Sequence, residues 1–179
     1  MTTSNKTKWV IDPAHTQVQF KVKHLVISNV TGSFDKFEGG MNSSREDFAD
    51  AEVWFSADAA SINTGMADRD NHLRSADFFD VANYPKLAFK STSIQKKDGD
   101  KYKLIGDLTI RGTSRPIELD MEYGGLMKDP WGNTKVGFEL TGKFHRKDYG
   151  LNWNAITEAG GLVVSEEVKT LINVEVSRQ

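Results

Sequence analysis

The chain has 179 residues, of which 27% are charged and 38% hydrophobic, a composition typical of one globular domain and not of a disordered segment. Its formal net charge is -2. This near balance provides no basic face, so we do not expect a nucleic-acid partner. The chain contains no cysteine, which excludes disulfides, thiolate nucleophiles and cysteine-ligated metal centres.

The beginning of the chain predicts a short polar tail over residues 1–8, followed by a single domain over residues 9–179. No signal-peptide-like apolar run follows this tail. No stretch reaches the roughly 20 apolar residues that a helix needs to cross a bilayer, so no transmembrane segment is expected. We therefore expect a cytoplasmic protein, with the periplasm as the alternative if a leader was removed.

Alternation of apolar and polar residues with period 2 dominates the chain from Val18 onward, and this pattern is typical of strands with one buried face. We count about eight such runs, the second and fourth being weaker. They are centred on residues 18–22, 31–37, 53–57, 87–94, 102–110, 117–123, 136–144 and 168–176. Helical periodicity fits none of them.

Turn residues separate several of these runs and predict hairpins between antiparallel neighbours, at residues 97–100, 111–114 and 129–133. Residues 64–74 are polar and helix-compatible, and strand resumes at Pro85. We therefore expect a short helical segment between the third and fourth strands, over one end of the fold. Residues 149–160, which include Trp153, indicate a long loop before the last strand.

Long strands with one apolar face need either closure into a barrel or a second sheet. Eight strands suffice for a closed barrel that is filled by side chains or holds one ligand. Hairpin-by-hairpin order favours an all-β, up-and-down, eight-stranded antiparallel β-barrel. The pattern alone leaves a two-sheet sandwich open.

No catalytic, metal or cofactor motif appears in the chain. It lacks a glycine-rich phosphate loop, a G-x-S-x-G elbow and an H-E-x-x-H zinc motif. The four histidines, His15, His24, His72 and His145, share no metal-ligand spacing. We therefore predict no catalytic residue, no metal and no cofactor, although a site assembled in space stays open.

The apolar faces of the strands carry most of the information about function. They consist of Phe, Leu, Ile, Val and Met, with Gly106 and Gly142 expected to leave gaps between larger side chains. Such faces form either an ordinary packed core or the wall of an apolar cavity. Alternation does not decide between the two.

Five segments in the same order resemble the YceI-like family of polyisoprenoid-binding proteins. They are Trp9–His24, His72–Asp80 followed by Tyr84-Pro85, Gly106–Thr113 with Pro116, Phe144–Gly150 and Val163–Val168. The resemblance runs from about Trp9 to Val176. It implies a lipocalin-like, extended barrel with a long isoprenoid chain, such as that of a prenyl quinone or prenyl pyrophosphate, inside it. Many family members are exported to the bacterial periplasm.

From this resemblance and the apolar faces we predict a non-catalytic lipid-binding protein that acts as carrier, reservoir or sensor. The apolar residues predicted to bind the ligand are Phe20, Val22, Phe34, Phe55, Leu73, Phe78, Phe79, Phe89, Leu104, Leu108, Leu119, Met121, Phe138, Leu140, Phe144, Trp153, Ile172 and Val174. The candidate head-group contacts, at the expected barrel mouth, are Arg69, His72 and Arg74.

Two other functions stay open at this point. One is an enzyme of isoprenoid or quinone metabolism, with a site near His15, His24 or His145. The other is a structural barrel that holds no ligand. A homodimer is an option for the quaternary structure that the sequence does not decide.

Overall fold

A computed structural model describes residues 5–154 and 164–179, and in this part of the chain β-strands dominate. The strands are β1 (Thr7–Ile11), β2 (Gln17–His24), β3 (Ser28–Phe34), β4 (Phe37–Ser43), β5 (Glu52–Asp58), β6 (Ile62–Asn63), β7 (Lys86–Lys96), β8 (Lys101–Ile110), β9 (Thr113–Lys128), β10 (Thr134–His145) and β11 (Glu167–Arg178). The α-helix α1 spans Ala67–Arg74, and three short 3₁₀ turns span Pro13–His15, Ala59–Ser61 and Arg146–Tyr149.

These eleven strands form eight barrel strands, because the first three barrel strands are each interrupted. β1 and β2 are two parts of the first one, separated by the 3₁₀ turn Pro13–His15. β3 continues into β4, and β5 continues into β6, so that β4 pairs with β1 and β5 while β3 pairs with β2 and β6. The weak run 31–37 of the sequence spans the break between β3 and β4, whereas the weak run 87–94 lies within the continuous strand β7.

The sheet closes on itself through β11. One edge of β11 pairs with β10, and its other edge pairs with β1 through Ile11 and Val176 and with β2 through Val18 and Ile172. All strand pairs in the described residues are antiparallel. This closure confirms the predicted eight-stranded barrel and excludes the two-sheet sandwich.

The connections between strands largely follow the predicted turns. Hairpins join β7 to β8, β8 to β9 and β9 to β10, and α1 lies between the third and fourth barrel strands. The first strand begins at Thr7, whose partner is Ser43, so two residues of the predicted polar tail are strand. The predicted loop 149–160 is described as far as Asn154, and the remainder lies outside the described residues. None of the described helices is long and apolar enough to span a bilayer.

The inward faces of the strands hold the apolar residues that alternation assigned to them. Leu104 and Val136 have no exposed surface. Gly106 and Gly142 do not leave the gaps that the sequence suggested, because neighbouring side chains fill them. A Cβ at Gly106 would lie 2.5 Å from the ring of Phe89, and a Cβ at Gly142 would lie 2.5 Å from Leu119 Cδ2.

One end of the barrel is closed by the loop between β4 and β5. Phe48, only 3% exposed, packs edge-on against Trp9 and Phe138, with ring centroids 5.7 and 5.5 Å away. Asp50 holds this loop by accepting hydrogen bonds from the Ser43 hydroxyl (2.7 Å) and from the backbone N–H and hydroxyl of Ser44. These hydrogen bonds hold the pKa of Asp50 well below its usual range. We call this end the plugged end.

An ion-pair cluster lies where the first barrel strand breaks. The Lys135 ammonium on β10 is 2.6 Å from Asp12 Oδ2 and 3.2 Å from Glu175 Oε1 on β11. Asp12 also lies 2.8 Å from His15 Nδ1 and accepts from the N–H of Ala14. The hydrogen bond from Lys135, followed by that from His15, lowers the pKa of Asp12 from 3.8 to about 2. The cluster therefore ties the seam of the barrel together.

We expect Asp12→Asn to weaken the barrel at neutral pH and to lose this effect in acid. Because the pKa of Asp12 is lower in the folded state, its stabilisation is complete above about pH 4 and disappears as the pH falls toward 2. A shift of this size is worth about 2 kcal/mol for the Asp12 side chain, which is 18% exposed. Urea unfolding of wild type and variant at several pH values measures it. Asp98→Asn, in an exposed turn, is the control. A wild-type advantage that stays constant from neutral pH to pH 3 would contradict this assignment.

Candidate functional site

The barrel interior contains a cavity of about 570 Å³, within the range of small-molecule binding sites. All eighteen apolar residues predicted to bind the ligand line it: Phe20, Val22, Phe34, Phe55, Leu73, Phe78, Phe79, Phe89, Leu104, Leu108, Leu119, Met121, Phe138, Leu140, Phe144, Trp153, Ile172 and Val174. Most come from the inward faces of the strands. The others are Leu73 on α1, Phe78 and Phe79 in the segment after α1, and Trp153 after the 3₁₀ turn Arg146–Tyr149. Their contact with a ligand stays a prediction.

Incomplete burial of inward-pointing side chains also indicates a cavity. Phe20, Phe55, Leu108, Ile172 and Val174 point inward, yet each remains partly accessible. Side chains of a filled barrel would be covered on all sides, as Leu104 is. The inward faces therefore combine fully covered side chains with stretches of open apolar wall.

The cavity reaches the surface at the end opposite the plug. Lys23 and Asp68 are exposed and also line the cavity, as do Arg69, His72 and Thr64 beside them. Most polar lining residues gather here, between the β2–β3 hairpin, α1 and the segment around Trp153. We call this opening the mouth. Its position over the helical segment agrees with the sequence prediction.

Of the three candidate head-group residues, the structure brings Arg69 and His72 to the cavity but not Arg74. Arg69 donates to the hydroxyl and the carbonyl of Thr64, both at 2.6 Å, which fixes its guanidinium at the mouth. Arg74 instead donates to the carbonyls of Ala60 and Ile62, at 2.8 and 3.1 Å. Arg74 thus attaches α1 to the third barrel strand.

His72 belongs to an aromatic group at the mouth. Its ring lies edge-on to Trp153 and Phe78, with centroids 4.7 and 5.2 Å away, and its Nε2 is 2.8 Å from Asp77 Oδ2. The imidazole therefore joins the apolar wall to a polar rim. Such a rim suits a ligand with an apolar body and a polar end.

A buried arginine that the sequence did not single out organises the other side of the mouth. Arg146 is 3% exposed and lines the cavity. Its guanidinium donates to the carbonyls of Leu151, Trp153, Ser165 and Val164, at 2.6, 2.8, 2.8 and 3.2 Å. Burial lowers the pKa of Arg146, whose ordinary value is high enough that it stays charged. In the sequence, the only sign of this role is that Arg146 directly follows an apolar strand. A solvent-exposed arginine would give the same pattern.

The histidines named for an alternative catalytic site do not gather in one place. His15 is in the Asp12 cluster, His24 lies at the mouth, and His145 ends β10. Among residues 5–154 and 164–179, one group has metal-ligand spacing, formed by Asp12, His15 and Glu175. The ammonium of Lys135 already contacts both carboxylates of that group, so they have a cationic partner without a metal.

Comparison with known proteins places this cavity in a family context. Residues 9–176 match the YceI-like domain family. A UPF0312 protein of Staphylococcus aureus strain N315 is 36% identical over 172 residues, which cover 96% of this chain and 98% of that protein. These matches extend over nearly the whole chain, including both the plugged end and the mouth.

Solved structures resemble the chain over the same extent. The YCEI protein of Campylobacter jejuni is 35% identical with a TM-score of 0.75, covering 88% of this chain and 90% of that one. A polyisoprenoid binding domain from Saccharophagus degradans is 17% identical and shares the fold, with a TM-score of 0.69 and coverage of 96% and 98%. Sequence match, fold and cavity agree, and the chain belongs to the YceI-like family.

Proposed function

We propose that this protein binds a long-chain apolar lipid of the polyisoprenoid class, such as a prenyl quinone or a prenyl pyrophosphate, in the barrel cavity. It would do so without catalysis, as carrier, reservoir or sensor. The observation that carries the proposal is the apolar cavity of about 570 Å³ that opens at one polar mouth. The S. degradans domain, which shares the fold, is described as binding polyisoprenoids.

The energetics of such a site favour a long hydrocarbon. Each methylene transferred from water to an apolar wall contributes about 0.8 kcal/mol, so a chain of many carbons binds tightly with few directional contacts. The polar end of the lipid then stays at the mouth, where Arg69 and His72 provide donors. This arrangement accounts for a long apolar wall that ends at a charged rim.

Native mass spectrometry of the purified protein, combined with organic extraction, tests the proposal. We expect an added mass that disappears on extraction and that fragments as a polyisoprenoid. A straight-chain acyl lipid in the extract would redefine the ligand class. Protein without bound lipid that also fails to take up a prenol in titration would favour a structural barrel.

The head group is tested by a matched pair of arginine variants. Arg69→Ala should weaken binding of a prenyl pyrophosphate roughly tenfold or more, since it removes charge-assisted hydrogen bonds to the phosphate. Binding of a prenol with the same tail should change little, because tail burial is common to both ligands. Arg74→Ala is the control, because Arg74 does not line the cavity and its guanidinium donates to the backbone carbonyls of Ala60 and Ile62.

Fluorescence titration of wild type and of each variant with both ligands gives the six dissociation constants that the comparison needs. Equal losses for pyrophosphate and prenol in Arg69→Ala would mean that Arg69 acts by holding Thr64 in place. A selective loss in Arg74→Ala would contradict the placement of the head group beside Arg69.

A further inference from the structure

The hairpin between β2 and β3 ends in three consecutive exposed apolar residues. Leu25, Val26 and Ile27 are 39%, 68% and 86% exposed. Isolated exposed apolar side chains are common, but three in a row at the tip of a hairpin are not explained by packing. We call this segment the apolar tip.

The backbone of the apolar tip is unfavourable for the residues that occupy it. Leu25 and Val26 have φ of 53° and 67°, a left-handed conformation for which hairpin turns prefer Asn-Gly. A β-branched residue there is strained. The hairpin between β9 and β10, by contrast, uses residues that suit a turn. Gly132 takes the positive φ, and the Asp129 carboxylate accepts hydrogen bonds from the backbone N–H groups of Trp131 and Asn133. The apolar side chains of the tip are therefore present despite their cost to the fold.

The apolar tip adjoins the mouth of the cavity. Lys23 and His24, which directly precede Leu25, both line the cavity, and Val22 and Val30 on the same hairpin line it as well. Met66, at the start of α1 on the same end of the barrel, is 55% exposed. A partner that covers the apolar tip would therefore also lie against the mouth of the cavity.

A row of lysines runs across the outer surface below the tip. Lys143, Lys169 and Lys21 are direct partners on β10, β11 and β2, and all three are exposed. Like charges directly opposite each other destabilise a sheet. Lys23 is the next outward residue toward the tip. Within the described residues these four lysines form one ion pair, a 4.0 Å contact between Lys143 and Glu167.

We propose that the apolar tip inserts into an anionic lipid bilayer, with the lysine row against its head groups and the mouth facing the membrane. Apolar side chains that enter the acyl boundary, flanked by cations, are the chemistry of interfacial membrane binding. Docking of this kind goes beyond the proposed function, and it would let a lipid pass between bilayer and cavity without crossing water.

Vesicle flotation tests this with large vesicles of equimolar phosphatidylglycerol and phosphatidylcholine that contain no isoprenoid, so the result does not depend on the cavity ligand. Leu25→Asn combined with Val26→Gly should weaken association at least about tenfold. The thermal midpoint should stay level or rise, since the new residues suit positive φ. Trp131→Ser, which removes an 83% exposed side chain from the β9–β10 hairpin at the plugged end, should bind as wild type.

The charge contribution is measured with Lys23→Glu, which should weaken binding to anionic vesicles about tenfold. Lys8→Glu, the same change at an exposed lysine of the plugged end, should leave binding unchanged. Wild-type affinity in the Leu25/Val26 variant would overturn the proposal, and so would equal binding of wild type to pure phosphatidylcholine and anionic vesicles. A wild-type dimer in solution that this variant dissociates, without vesicle binding, would instead make the tip a contact between copies of the chain.

Discussion

Phe138→Asp is expected to abolish lipid co-purification and to lower the free energy of unfolding by several kcal/mol. Phe138 is 6% exposed, lines the cavity and packs against Phe48 and Tyr123 with ring centroids 5.5 and 5.9 Å away. The change removes a buried ring, which costs about 3–5 kcal/mol, and places an unpaired carboxylate in an apolar site. Leu119→Asp should act in the same way. Urea unfolding and organic extraction measure the two effects.

A cavity-filling variant separates loss of lipid from loss of fold. Val174 points into the cavity, remains partly accessible and is the strand partner of Phe138. Val174→Phe should therefore fold and yet retain much less lipid, because the added ring occupies the space of the chain. Leu171→Phe, on the exposed outer face of the same strand, is the control. Wild-type lipid content in folded Val174→Phe would place the ligand outside the barrel.

Arg146→Met should lower the free energy of unfolding by about 3–5 kcal/mol. The change keeps an unbranched, flexible stem but removes the donors of four hydrogen bonds. Each of the four backbone carbonyls then loses its guanidinium partner. Arg111→Met is the matched control, since Arg111 is more accessible and donates to one carbonyl, that of Gly150, at 3.2 Å. Urea unfolding followed by tryptophan fluorescence compares the two.

Lipid retention is the second measurement for Arg146→Met. The carbonyls that Arg146 binds belong to two separate stretches of the described chain, Leu151 and Trp153 on one side and Val164 and Ser165 on the other. We therefore expect faster exchange of bound lipid in this variant than in wild type. Equal free energies of unfolding for Arg146→Met and Arg111→Met would show that water replaces the guanidinium at no cost. That result would contradict the role of Arg146 in organising the mouth.

The sequence predicts the barrel walls well because most strands show their own alternation of apolar and polar residues. Alternation is uninterrupted in β10 and β11, and in β9 it holds from Ile117 to Tyr123, before a bulge at Gly124. Glycine or aspartate marks several of the turns. The first barrel strand is harder, since the 3₁₀ turn Pro13–His15 breaks its period and hides β1. The apolar tip carries no turn residue at all, so Leu25–Ile27 gave no sign of a hairpin. In our interpretation, the proposed membrane contact of the tip outweighs the preference of its turn positions for Asn or Gly.

The polar residues of the site were only partly predictable. Arg69 and His72 are three residues apart and share one face of α1, whereas Arg74 is five residues from Arg69 and thus about 140° around the helix. Helical periodicity could have separated them. Arg146 could not be recognised, because its partners are the backbone carbonyls of Leu151, Trp153, Val164 and Ser165. Every residue has a backbone carbonyl, so the sequence does not show which ones accept a hydrogen bond.

The plugged end gives the cavity a fixed depth, and depth is a way to select a ligand by length. A polyprenyl chain that enters at the mouth can advance only as far as the wall that Phe48 completes with Trp9 and Phe138. Isoprene units beyond that depth stay outside, where their burial adds nothing to affinity. Binding should therefore strengthen with each added unit and then level off at the length that fills the tube. In this view the loop from Ser44 to Ala51, far from any head group, sets the chain length up to which affinity increases. Prenyl chains shorter than this length differ in affinity, and longer chains bind equally well.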